Sequence, residues 1–120
     1  MRHEWANLIP EGIAPTEAAP LMCAGAAAYA SFRKTAVQPG ETLAIFGLGG
    51  LGQYAVQIAK LSGVRVIAVD INAEKLLTAK ALGADETVIA DVQAGASIQV
   101  LGGADGCVNF APVAATWPLM

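Results

Sequence analysis

Three glycines, Gly47, Gly49 and Gly52, stand in a G-x-G-x-x-G spacing directly after the apolar run Leu43 to Phe46. The chemistry open to such a turn is the binding of a pyrophosphate. Gly47 permits a tight exit from a strand, Gly49 lets a phosphate approach the backbone for want of a Cβ, and Gly52 lets the next helix pack close. Free N–H groups around Gly49, Gly50 and Leu51, together with the positive end of the helix, bind the anion without a cation. No lysine lies in the loop, so the G-x-x-x-x-G-K-[ST] phosphate loop is excluded. Asp70 closes the next apolar run, Val64 to Val69, 18 residues after Gly52. A carboxylate there accepts hydrogen bonds from both adenosine ribose hydroxyls and repels a 2′-phosphate. No arginine follows to compensate, so NAD(H) is the expected dinucleotide. Lys75, one turn into the following helix, either reaches the same ribose or is simply solvated.

The glycines alone are weak evidence. Their weight comes from the elements around them: strand, glycine turn, helix, strand, acid. Residues 1–15 carry Pro10, Gly12 and Pro15 and read as an extended lead-in. Thr16 is a candidate N-cap with Glu17 in the first turn. Pro20 then breaks this into a short turn before an alanine-rich helix from Ala24 to Thr35. Gln38-Pro39-Gly40-Glu41 signals a turn, and the first strand follows at 43–46. The helix Leu51 to Leu61 sets Tyr54, Ile58 and Leu61 on one side, and Gly63 stops it. The second strand, 64–69, is nearly all apolar, as befits a strand covered on both faces. Asn72 can cap a helix from Ala73 to Leu82, ended by Gly83 in a left-handed conformation. A third strand is expected at Glu86 to Ala90, a weaker helix from Asp91 to Val100 and a fourth strand at Cys107 to Phe110. Beyond it, Pro112 and Pro118 interrupt a broken helix. Right-handed crossovers between such units give a parallel sheet. The expectation is an α/β, Rossmann-type doubly wound fold, truncated to about four strands in the order 3-2-1-4, with residues 16–120 as a partial NAD-binding domain.

Composition narrows the partners. Of 120 residues, 55% are hydrophobic and 14% charged, against roughly 25% charged in an average soluble domain. That balance fits either a membrane span or a core that expects more protein around it. The uncharged stretch Ala18 to Phe32 contains Pro20 and Gly25 and falls short of the ~20 apolar residues a bilayer needs, so no membrane association is expected. The formal net charge is −3 and the seven basic residues are scattered, which argues against nucleic acid. Cys23 and Cys107 form no C-x-x-C and read as reduced thiols of a cytoplasmic protein.

The segments Ile9-Pro10-Glu11-Gly12-Ile13 and Ala19-Pro20-Leu21-Met22-Cys23-Ala24-Gly25 resemble the zinc-dependent alcohol dehydrogenases of the medium-chain dehydrogenase/reductase superfamily. The resemblance continues through Val37 to Glu41, the glycine turn, Val69-Asp70-Ile71-Asn72 and Leu82-Gly83-Ala84-Asp85, covering roughly residues 8–110. It implies that Cys23 is one protein ligand of a catalytic zinc in the whole protein, where hydride passes between a small alcohol or carbonyl substrate and the nicotinamide. Two further ligands of that family have no counterpart here, and His3 and Cys107 do not stand at matching positions. Cys23 by itself reads equally as a small buried hydrophobe. The threonine usual four residues after the ligand cysteine is Ala27, and the usual acid and glycine after the fourth strand are Asn109 and Pro112. The expectation is therefore the NAD(H)-binding segment of an alcohol dehydrogenase-like oxidoreductase, inactive as an isolated chain and with no catalytic residue of its own. The alternative is a stand-alone, non-catalytic dinucleotide-binding module. Two weaker alternatives are a methyltransferase, which would leave Ala19 to Gly25 without a role, and a zinc-independent quinone reductase, disfavoured by Cys23 and Asp70. The fourth strand would offer an exposed edge, an invitation to a homo-oligomer or to aggregation.

Overall fold

The computed structural model describes residues 2–112. The chain is built in the order α1 (Pro15–Pro20), a π turn (Leu21–Gly25), α2 (Ala26–Thr35), β1 (Thr42–Phe46), α3 (Gly50–Leu61), β2 (Arg65–Asp70), α4 (Ala73–Ala81), β3 (Glu86–Ile89), α5 (Ala94–Val100) and β4 (Gly106–Asn109). A 3-10 turn at His3–Trp5 precedes them, so the lead-in is not extended throughout. The broken helix expected beyond the fourth strand lies outside the described residues from 113 onward.

All strand pairs are parallel and the sheet runs β3-β2-β1-β4, the expected order. Successive residues of β1 and β2 point to opposite faces, and both faces are dry. Leu43, Ile45, Val66 and Ala68 face a layer containing Phe32, Val56, Ala59, Leu76 and Ala79. Ala44, Phe46, Ile67 and Val69 face Val88, Ala94 and Ile98. Helices α2, α3 and α4 thus cover one face and α5 the other. This two-sided burial explains the near-continuous apolar runs in the central strands.

The lining of α3 differs from the expectation. Leu61 is 89% exposed, and the fully buried face is Gly52, Ala55, Val56 and Ala59. These small residues recur at i, i+3, i+4 and i+7, so they too lie on one side of a helix. A crossover helix lying directly on a sheet is brought closest by small residues at its contact line. The larger Tyr54 and Ile58 flank it, half-buried.

The start of the helical lead-in is also corrected. The cap of α1 is Ala14, not Thr16, with Pro15 in the first position. Alanine has no side-chain acceptor, so only half of a capping box exists: the Glu17 carboxylate accepts from the Ala14 N–H at 3.2 Å. Pro20 does not break the chain into a turn. It sits at the end of α1, and the helical path widens into the π turn before α2. Proline lacks an N–H and crowds the carbonyl four residues back, which disfavours a regular turn there.

Elsewhere the local signals hold. The Asn72 side chain accepts from Glu74 and Lys75 N–H and caps α4. Gly63 and Gly83 have φ of +76° and +113°, the left-handed region that favours glycine. Past Gly83, Asp85 accepts from the Val66 N–H at 2.8 Å and from Lys60 Nζ at 2.9 Å. It ties the C-terminal half of α3 to the start of β2. Burial alone would raise the Asp85 pKa. The Val66 and Lys60 hydrogen bonds and the Lys60 and Arg65 charges outweigh it and hold the carboxyl below its ordinary value.

Candidate functional site

The order in which strands are added to the sheet reverses between β1 and β4. From β1 the chain steps outward to β2 and β3, then crosses back to lay β4 on the other side of β1. In open α/β sheets that reversal opens a crevice beyond the carboxyl ends of the strands. Backbone bonds past the strand ends keep this rim in line: Gly47 N–H to the Val69 carbonyl, Ala90 N–H to that of Asp70 and Phe110 N–H to that of Phe46. A cleft of about 200 Å3 lies there. Gly47, Leu48 and Gly49 form one wall, Val69 to Ile71 with Lys75 a second, and Phe110 to Pro112 a third. That is less than the ~300–1,000 Å3 of a complete small-molecule site, and enough for part of a dinucleotide.

The glycines of the turn do different work. Gly47 has φ +85°, and a Cβ there would come within 2.6 Å of the Ala111 N. A Cβ on Gly52 would meet the Gly47 carbonyl oxygen at 2.0 Å. Both are fixed by the packing of the protein on itself. Gly49 and Gly50 are not: a Cβ at either meets nothing within 4 Å. Gly49 is the N-cap of α3 with φ −71° and ψ −161°, open to any residue, and no side chain caps the helix. The first N–H groups of a helix have no intrahelical acceptor, so those of Gly50 and Leu51 border this open space with the positive end of α3 behind them.

Asp70 is 7% exposed. Its Oδ2 accepts from the Leu48 N–H at 2.7 Å and its Oδ1 from the Asn72 N–H at 2.9 Å. One bond on each oxygen leaves further lone pairs, enough for two hydroxyls side by side. The carboxylate therefore braces the glycine turn, a task that its position at a strand end did not reveal. Lys75 is exposed on α4 and lines the same cleft. Gly47, Gly49, Asp70 and Lys75 thus line one cleft, and Gly50, Leu51 and Gly52 follow Gly49 in the first turn of α3.

Cys23 does not join them. It is an exposed free thiol on the π turn, which overturns the reading of it as a buried hydrophobe. Among the described residues no group of three His, Cys, Asp or Glu could hold a metal ion. A zinc site needs at least three protein ligands; Cys23 supplies one, so the described residues do not fit a catalytic zinc on their own.

The wall formed by Phe110, Ala111 and Pro112 was not legible in the sequence. Its course is set by Asn109, whose Oδ1 accepts the Ala111 N–H at 2.9 Å. The available signal was the expected fourth strand beside β1, since such a strand must bring its exit peptide against Gly47.

Comparison with known proteins agrees with this geometry. An alcohol dehydrogenase of Geobacillus stearothermophilus is 51% identical over 80 residues, 67% of this chain and 24% of that protein. The alcohol dehydrogenase of Aeropyrum pernix superposes with a TM-score of 0.79 at 36% identity, over 92% of this chain and 36% of that one. A quinone oxidoreductase of Thermus thermophilus, solved alone and with NADPH, gives 0.78 at 31% identity over 90% of this chain and 37% of its own. The chain thus spans about a quarter to somewhat over a third of the length of these relatives. Residues 50–119 match the zinc-binding dehydrogenase family, and with most of its length accounted for in this way the chain belongs to that family.

Proposed function

We propose that this chain holds the adenosine and pyrophosphate portion of NAD(H) for an alcohol dehydrogenase-like oxidoreductase. The observation that carries the reading is the pair Gly49 and Gly50. Neither has a conformational or packing reason to lack a side chain, and Gly49 borders a cleft whose other wall carries a buried carboxylate. In this reading the N–H groups of Gly50 and Leu51 bind the pyrophosphate, and Asp70 accepts the two adenosine ribose hydroxyls. Its charge disfavours the 2′-phosphate of NADP(H), and Lys75 flanks the ribose. The bound dinucleotide would supply hydride exchange at its nicotinamide, with a small alcohol or carbonyl compound as the partner in the whole protein.

The chain's own contribution is binding and orientation. Catalytic inactivity of the isolated chain is part of the proposal and is supported by the single thiol at Cys23, without companion ligands among the described residues. A second reading, zinc-independent quinone reduction, draws on the likeness to the Thermus enzyme, with Cys23 and Asp70 counting against it. Cofactor choice separates the two, because the Thermus enzyme was solved with NADPH whereas Asp70 favours NADH. Fluorescence titration with NADH tests the proposal: saturable enhancement, reversed by ADP-ribose, is expected. A folded chain that leaves NADH emission unchanged would overturn it.

A further inference from the structure

Gln53 lies one residue past the glycine spacing, in the first turn of α3. Its N–H bonds to the Gly49 carbonyl at 3.0 Å. Its side-chain amide turns back and donates from Nε2 to the Leu48 carbonyl at 3.2 Å. A carbonyl only accepts, so this contact also fixes which end of the amide faces the loop. On the far side of the same residue, the Leu48 N–H is held by Asp70 and its side chain is fully buried. Leu48 is therefore pinned at its N–H, its C=O and its side chain.

The consequence falls on the next peptide. The Leu48 carbonyl and the Gly49 N–H belong to one planar trans unit and point in opposite directions, and no described peptide bond is cis. Holding the carbonyl toward Gln53 turns the Gly49 N–H away from it and fixes the angle at which the chain enters α3. The loop contains no cation, so anion binding there depends wholly on the direction of backbone dipoles. We propose that Gln53 is a positioning residue for the pyrophosphate: through the Leu48 carbonyl it orients the Gly49 peptide and the first turn of α3. This inference rests on the nucleotide-binding reading and deepens it.

Gln53→Leu and Gln53→Met remove the donor at similar bulk. Calorimetric titration with ADP and NMR titration with adenosine separate the phosphate contribution from that of the nucleoside. Loss of one neutral hydrogen bond should weaken ADP binding about two- to tenfold, leave adenosine binding unchanged and hold Tm within a few degrees. Equal weakening of both ligands would mean a general structural role and overturn the assignment, as would unchanged ADP binding. Failure of the unsubstituted, folded chain to bind ADP would instead overturn the nucleotide-binding reading and this inference with it. Hydrogen exchange in the free chain gives an independent reading. The Gln53 side-chain amide should exchange more slowly than that of exposed Gln99, and equal rates would show that the brace is absent.

Discussion

Alanine at Gly49 and alanine at Gly52 should give opposite results, although each adds one methyl group to the same turn. At Gly49 the methyl enters open space, and φ −71° with ψ −161° is ordinary for alanine. Reduced freedom of the unfolded chain stabilises the variant by about 0.4–1 kcal/mol. Alanine is a poorer N-cap than glycine by a similar amount. The two effects nearly cancel, and Tm should stay within about 3 °C of the parent chain. At Gly52 the methyl would stand 2.0 Å from the Gly47 carbonyl oxygen. Backbone must move there, at a cost of about 1–3 kcal/mol or more, so Tm should fall by roughly 5–15 °C. Ligand binding reverses the order of interest. The Gly49 methyl lies where the phosphates would contact the α3 N–H groups, and losing one hydrogen bond to a charged group costs about 1.5–3 kcal/mol. NADH affinity should therefore fall tenfold or more in a variant whose Tm is unchanged. Circular dichroism melts and fluorescence titration provide both readouts. Full NADH affinity in Gly49→Ala would refute the assignment of that open space to the pyrophosphate, and a Tm loss equal to that of Gly52→Ala would refute the division of roles among the glycines.

Three further outcomes follow from the same contacts. Asp70→Ala leaves the Leu48 and Asn72 N–H groups without their acceptor and should cost about 1–3 kcal/mol in a denaturant melt without ligand; an unchanged midpoint would show that the brace contributes nothing. Lys60→Met should destabilise by about 0.5–1 kcal/mol at pH 7, in the range of partly exposed pairs. Because Asp85 is held below its ordinary pKa in the fold, its ionised form stabilises above the unfolded value near ~3.9, and that contribution is lost as pH falls through the folded value. The gap between the two proteins should therefore close in melts at low pH, and a gap that persists at pH 2 would point to packing instead. The outer edge of β4 pairs with no strand among the described residues, so the mass of the chain in light scattering should rise with concentration; one monomer mass throughout the series would count against an adhesive edge.

Much of this architecture was legible because local and global signals agree. Asn72 caps the helix it precedes, Gly63 and Gly83 take the left-handed turns, and two-sided apolar runs mark the central strands. What the sequence obscured was long-range. Leu61 has the bulk and spacing of a core residue, yet contact with the sheet is made by Ala55 and Ala59, because close approach rather than bulk decides which side of a crossover helix is buried. Pro20 reads as a breaker, but a wider helical turn accommodates it. At the site, the positions of the glycines and Asp70 followed from motif order alone. The bonds that join them, Asp70 to Leu48 across 22 residues and Gln53 back to Leu48, leave no periodic trace in the sequence.

The glycine turn and Asp70 together are proposed to form an adenosine and pyrophosphate half-site that selects NAD(H). Calorimetric titration of the chain with NADH and with NADPH tests it most directly. NADH should bind saturably and NADPH at least tenfold more weakly, from the charge of Asp70 against the 2′-phosphate. Equal or tighter binding of NADPH would contradict the role given to Asp70, and binding of neither by a folded sample would contradict the site itself.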